Sequence, residues 1–302
     1  VLGAVEGQRV PLDIWGAILA TLGSTALVLG LTSAGKGASN PVFIVAMLVG
    51  IASLGAFFIT QKHTENGVLP LSLFTRRDRV FTFIAIFLLG AIMTTVAVFV
   101  ALYVQTILKY TTLRAGLAFI PFAFALALGA ATASKISMKW APRWIILAGC
   151  IFMVIGFGWG TAISEESTFW ADIFPPTLII GYGVGLVSIA LTLSAVAGVK
   201  PIDVGPLTAI SLVAQTLGGP IGLAFAGALA QSYTRHHGGA DIPVTEMNSV
   251  QLHALGEGYL LTLFVCLGLA VVMGILSALF IRFTVPDVVE GQKANEAAND
   301  LP

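Results

Sequence analysis

Few residues in this chain are equipped for chemistry. It has four histidines, His63, His236, His237 and His253, and two cysteines, Cys150 and Cys266, among 302 residues. A membrane protease or acyltransferase would need a Ser/His, His/Asp or paired-Asp arrangement at membrane depth. All four histidines instead lie outside the long apolar runs. No phosphate-binding Walker loop, HExxH helix or dinucleotide fingerprint is present. His236 and His237, followed by Gly238, Gly239, Asp241, Glu246 and His253, raise the question of a metal. Their spacing matches no standard ligand pattern, so the segment reads as a solvated loop. Cys150 and Cys266 sit inside apolar runs and read as small buried hydrophobes. The sequence thus offers no catalytic set, no metal site and no cofactor site, and reads as a non-enzyme. Its 15 basic and 15 acidic residues balance, which leaves no electrostatic footprint for nucleic acid.

The polar residues within the apolar runs are neutral: Thr94, Thr95, Tyr103 and Gln105, then Tyr182, Ser188, Thr192 and Ser194, then Thr208, Ser211, Gln215 and Thr216. A serine or threonine there usually satisfies itself on a helix carbonyl, whereas a buried amide or phenol such as Gln215 or Tyr182 needs a partner. Small residues recur every four positions at Gly218, Gly222, Ala226 and Ala230, forming one stripe on a helix face. Pro220 within it removes a backbone donor and favours a kink. Gly181, Gly183 and Gly185 form a second small-residue segment, and Gly16, Ala20 and Ser24 a third. Pro121, flanked by Phe119, Phe122 and Phe124, gives an aromatic surface that suits a lipophilic ligand or simply faces lipid.

These residues must be positioned by elements whose solvent is lipid. Hydrophobic residues make up 57% of the chain and charged residues 10%, against about 25% charged in a soluble domain. Eight apolar runs, at 14–32, 41–60, 80–107, 114–134, 143–163, 172–198, 206–232 and 259–284, approach the 20 or so residues that a span requires. Lipid offers the backbone no partners, so continuous runs imply helices, and the fold class is an all-α integral membrane bundle of about eight transmembrane helices. The first run follows Glu6, Arg9 and Asp13 without a cleavage site and reads as a retained span rather than a signal peptide. An even span count puts both ends of the chain on one side. If that side is cytoplasmic, eleven of the 15 basic residues lie inside and only Lys36, Lys109, Arg114 and Arg235 outside, as the positive-inside rule favours. The acidic pair Glu165 and Glu166 falls in an outside loop. Residues 61–79 form an inside connector whose apolar turn, Val68-Leu69-Pro70-Leu71-Ser72-Leu73-Phe74, leads to Thr75-Arg76-Arg77-Asp78-Arg79. Such cations suit the lipid headgroup region. Residues 233–258 are expected as an outside loop, and 285–302 as a polar, disordered cytoplasmic tail.

Several stretches in order resemble the major facilitator superfamily, specifically its 14-span drug:proton antiporters. Asp13-Ile14-Trp15-Gly16 through Leu27-Val28-Leu29-Gly30-Leu31-Thr32 is similar to the first of two extra helices that this family inserts between its six-helix halves. The stretch 68–74 with Arg76, Arg79 and Phe81 resembles the loop into the C-terminal half. Tyr103-Val104-Gln105-Thr106-Ile107-Leu108, then Leu113-Arg114-Ala115-Gly116-Leu117 and Pro121, resembles its outer loop and next helix. Gln215-Thr216-Leu217-Gly218-Gly219-Pro220-Ile221-Gly222 is the fourth match. The loop at 134–143 keeps the cations of the family's basic signature (Lys135, Lys139, Arg143) without an acidic partner.

The resemblance implies linker helices over 1–60, a basic loop over 61–79 and a C-terminal six-helix half over 80–284. It implies export of small lipophilic compounds by alternating access in the cell membrane, with a six-helix N-terminal half as the missing partner. The third, fourth, sixth and seventh runs would line the cavity. Thr95, Tyr103, Tyr182 and Gln215 would be substrate contacts, and Gly218, Gly219, Pro220 and Gly222 a conformational hinge or packing face. The other reading is a non-transporting membrane module or assembly partner derived from a transporter.

Overall fold

The computed structural model describes residues 14–33, 40–63, 76–161, 173–239 and 246–299. The apolar turn at 68–74, the Glu165–Glu166 pair, Arg9, Lys36 and Asp241 lie outside the described residues. Two compact units are present, Val1–Thr75 and Arg76–Pro302.

In the first unit, α1 (Ile14–Ser33) packs against α2 (Pro41–His63). Asn40 starts α2: its side chain accepts the Val42 N–H at 3.0 Å, and Pro41 supplies a first-turn residue that needs no donor. A Cβ on Gly23 would stand 2.8 Å from Leu54, and one on Gly30 3.0 Å from Met47. The partner number falls as the glycine number rises, so the hairpin is antiparallel. Gly16, Gly23 and Gly30 are all buried, seven residues apart, while Ala20 and Ser24 are half-buried. The seam therefore follows the heptad row rather than the four-residue row expected from Gly16, Ala20 and Ser24.

The second unit holds α3 (Arg77–Thr106), α4 (Thr112–Ala118), α5 (Ile120–Ile136), α6 (Pro142–Gly160), α7 (Phe174–Ala195), α8 (Pro201–His236), α9 (Ser249–Phe280) and α10 (Val285–Asn299). Among the described residues, six helical stretches are long and apolar enough to cross a membrane, with α4 and α5 counted together as Thr112–Ile136. Ile18–Gly30 and Pro41–Phe57 in the first unit are shorter apolar stretches. The break between α4 and α5 falls at Phe119, just before Pro121, which cannot donate to the preceding turn.

Glycines set how closely these helices approach. On α7, Gly181 and Gly185 share a face, and a Cβ on either would meet the Phe122 or Leu126 carbonyl of α5. Gly183 lies on the opposite side, where a Cβ would stand 2.6 Å from the Gly149 carbonyl of α6. Three alternating glycines thus let one helix pack closely on two neighbours at once, because positions two apart on a helix point to different sides. α3 packs against α8, α9 and α7, and α6 against α9.

Three expectations are corrected. The segment 233–258 is largely helical: α8 runs to His236, and α9 starts at Ser249, ten residues before the expected span. Asn248 and Gln251 form a reciprocal capping box with both bonds at 2.9 Å, which satisfies donors a helix start otherwise leaves open. The 285–302 tail is not disordered where described, since α10 occupies most of it and buries Val288 and Ala294. Arg79 does not face headgroups. It is 3% exposed, and its Nη2 donates to the Ala197 carbonyl at 3.0 Å.

Asp287 caps α10, accepting the Thr284 N–H at 2.8 Å and its hydroxyl at 2.7 Å. The amide bond holds the Asp287 carboxyl below the usual carboxylate range; the hydroxyl adds to this, and Arg76 contributes less. A depressed folded value means that the cap stabilises α10 above the unfolded carboxylate's titration, about pH 4, and that this contribution is lost as pH falls through the folded value. Hydrogen exchange of α10 amides, referenced to α6, should therefore accelerate in acid. Asp287→Ala should loosen α10 already at neutral pH and remove the acid dependence.

Candidate functional site

The small-residue stripe on α8 meets a row on α3. A Cβ on Gly218 would collide with the Phe87 carbonyl, and one on Gly222 would stand 2.5 Å from the Ala91 Cβ. Ala226 and Ala230 continue the stripe into a buried cluster with Phe99, against which Leu223 and Tyr259 pack. On the α3 side the row runs Phe87, Ala91, Thr95, Phe99, one residue per turn. It places Thr95, fully buried and with no hydrogen-bond partner for its Oγ1, inside the α3–α8 seam. The fit is reciprocal, because a Cβ on Gly90 of α3 would collide with the Gln215 carbonyl of α8. Gly219 faces Thr94, whose Oγ1 lies 2.6 Å from where a Cβ would be. Pro220 is accommodated within a continuous α8.

At the Tyr103 end of α3, between α3 and α9, lies a cleft of about 340 Å³, counted to its open mouth. Phe99, Tyr103 and Val104 of α3, Ile173 beside α7, and Tyr259 and Leu263 of α9 line it. The Phe99 and Tyr259 rings lie 5.8 Å apart and tilted at 56°. The lining is almost wholly apolar, and Tyr103 and Tyr259 are its phenols. Such a surface suits a lipophilic group and holds nothing to bind a charged one.

The four candidate polar residues do not converge on one place: Thr95 and Gln215 lie along the α3–α8 seam, Tyr103 and Tyr182 elsewhere. Thr95 is in the α3–α8 row, and Tyr103 is in the cleft between α3 and α9. The Tyr182 ring packs edge-on to Phe152 of α6 at 5.1 Å. Gln215 is half-buried beside Gly90. The serines and threonines bond helix carbonyls as their type predicts: Ser188, Ser194, Thr208, Ser211 and Thr216 each donate to the carbonyl four residues earlier. Phe119 and Phe122 are half-buried, and Phe124 is 62% exposed.

Sequence reasoning did not bring Phe99, Tyr259 or Leu263 into a site. Their signal was present as aromatic and aliphatic residues one turn apart, Phe99 with Tyr103 and Tyr259 with Leu263, but the same pattern describes ordinary packing. The sequence reads the cations where α3 begins as headgroup-facing, but their partners are not legible in it. Arg76 pairs with Asp78 at 3.5 Å and lies over the Phe283 ring at 5.1 Å, while Arg79 donates to the Ala197 carbonyl just beyond α7. In the 134–143 turn, Arg143 instead lies over the Trp144 ring at 5.1 Å. Among the described residues, no group of three or more His, Cys, Asp or Glu could hold a metal ion.

No family model matches the chain. It is 38% identical to the "uncharacterized MFS-type transporter EfpA" of Mycobacterium tuberculosis over 96% of this chain and 55% of that protein. It is 31% identical to the cephamycin export protein CmcT of Amycolatopsis lactamdurans over 72% of this chain and 45% of that protein. The chain thus spans about half the length of the curated relatives it matches. Among solved structures, a bacterial homologue of the human lysosomal transporter Spinster, inward-facing and occupied, matches with a TM-score of 0.57 at 16% identity, covering 90% of this chain and 66% of that one.

Proposed function

We propose, for a chain that belongs to the major facilitator superfamily among its drug-efflux transporters, that it forms the linker helices and C-terminal half of a 14-span, proton-coupled exporter of small lipophilic compounds. The alignment of 96% of the chain with slightly more than half of an MFS-type transporter carries this reading. A cephamycin exporter and a puromycin resistance protein among the relatives point to export of small organic molecules. The partner is a six-helix N-terminal half, and substrate occupies the cavity between the halves near the bilayer midplane. The third, fourth, sixth and seventh spans, here α3, α4–α5, α7 and α8, line it, and Thr95, Tyr103, Tyr182 and Gln215 are the candidate contacts. The α8 stripe from Gly218 through Gly219, Pro220 and Gly222 supplies the smooth face on which the half repacks.

Inverted vesicles carrying the complete reading frame provide the test. A pH gradient should drive accumulation of a lipophilic cationic dye, and collapse of the gradient should release it. Gradient-independent dye movement, equal to that in vesicles lacking the protein, would remove the transport reading and favour a non-transporting membrane module.

Both ends of this chain are placed on the cytoplasmic side of the cell membrane, from the excess of basic residues on that side. Ser249 is exposed at the start of α9 and Lys139 is exposed in the turn between α5 and α6, and Cys150 and Cys266 are buried. Ser249→Cys should react with an impermeant maleimide added outside intact cells, and Lys139→Cys only after permeabilisation. The reverse pattern would invert the orientation.

A further inference from the structure

One peptide group is gripped from two sides where α3 begins and α7 ends. A helix C-terminus leaves carbonyls without partners. The carbonyl of Ala197, just beyond α7, accepts from Arg79 Nη2 at 3.0 Å. The amide of the same peptide, Gly198 N–H, donates to the Asp287 carbonyl of α10 at 2.9 Å. Both polar ends of the Ala197–Gly198 peptide are therefore occupied, one by α3 and the other by the chain's last helix. The backbone around it leaves no slack. Gly198 has φ +62°, a left-handed conformation that favours glycine, and Gly291 of α10 lies so close to the Val196 carbonyl that a Cβ there would collide. Val288 of α10 is 1% exposed. Asp203, in the first turn of α8, is near enough to act electrostatically on Arg79.

We propose that this peptide is a clamp point, and that Arg79 is a positioning residue which, together with α10, makes α3, α7 and α8 move as one body. The need for such a clamp follows from the seams. α3 meets α8, and α7 meets α5 and α6, through glycine faces that allow close approach but carry few interlocking side chains to resist sliding. The clamp joins the two sets of seams at one end. The part of this inference that concerns transport rests on the exporter reading, whereas the part that concerns the clamp does not.

Two measurements separate these parts. In lipid nanodiscs, Arg79→Gln and Gly291→Leu should each speed hydrogen exchange across the α7–α8 turn by about tenfold, a local opening rather than unfolding. The two together should add little, because both release the same peptide. Arg79→Lys, whose ammonium can still reach a carbonyl, should recover part of the protection. Multiplicative effects in the double variant, or unchanged exchange in either single one, would overturn the clamp. In the complete transporter at matched membrane abundance, Arg79→Gln should slow dye efflux several-fold, with Arg79→Lys between it and the unsubstituted protein. Faster exchange with unaltered efflux would overturn the positioning role. Absence of efflux from the unsubstituted protein would overturn the exporter reading, and the exchange result would then decide the clamp alone.

Discussion

Gly222→Leu should abolish transport by the complete protein and reduce the amount of folded chain recovered from membranes. At this position the α3 and α8 backbones are separated by little more than the glycine hydrogen: an added Cβ would stand 2.5 Å from the Ala91 Cβ and 2.7 Å from its Cα. A leucine puts three further carbons beyond that point. They cannot turn aside, because one turn away the Gly218 face is closed by the Phe87 carbonyl and one turn further the Ala226 position is fully buried against the Phe99 cluster. The helices must separate along the whole row, with overpacking that costs about 1–3 kcal/mol and occasionally more. Leu223→Ile, a volume-conserving change at a half-buried neighbour, should be nearly silent. Detergent-extracted chain eluting as a single peak reports folding, and dye efflux reports function. Full efflux by Gly222→Leu would mean that the seam is not closely packed during the transport cycle.

That seam was legible in the sequence as a four-residue repeat of small residues, because helix periodicity alone brings Gly218, Gly222, Ala226 and Ala230 to one face. What lay opposite was not. The row Phe87, Ala91, Thr95, Phe99 has the same period, yet nothing in the sequence says that α3 rather than α9 receives the stripe. Thr95 read as a neutral polar residue in a span and a candidate substrate contact, and its burial beside Ala91 and Phe99 could not be read from the sequence. The cleft depended on the same missing information, since Tyr103 and Tyr259 are separated by five intervening helices' worth of chain. α10 was lost for a different reason. Its buried side is carried by Val288, Gly291 and Ala294, too few apolar residues to register against a polar background. The helix depends on docking to the α7–α8 turn and on the Thr284–Asp287 cap. Arg79 was misplaced because a run of cations beside a span fits the headgroup region by type; only the fold reveals a helix C-terminus within its reach.

Reconstituted by itself, the 302-residue chain should show no pH-gradient-driven movement of a dye such as ethidium. Coupling requires a group whose protonation follows its exposure to either side, and at membrane depth such groups are Asp, Glu, His or Lys, costly there unless paired or hydrated. The eight apolar runs place none near their centres. Among the described residues, the carboxylates nearest the spans lie toward helix N-termini. Asp78 and Asp203 lie in the first turns of α3 and α8, and Glu257 lies two turns into α9, where it accepts from the Tyr233 hydroxyl at 3.0 Å and stands 3.4 Å from His253. A charge near the start of a helix lies away from a substrate at mid-membrane, so it is poorly placed to gate that substrate. A rocking carrier also needs a second body, since its cavity forms between two halves, and this chain spans 55% of the transporter with which it shares 38% identity. Co-reconstitution with a six-helix N-terminal half that carries a membrane-depth carboxylate should restore gradient-driven dye movement, and replacing that carboxylate with its amide should remove it again. Robust gradient-dependent transport by the chain alone would require a homodimer with its coupling group at a helix end, and Glu257→Gln would then be the substitution to silence it.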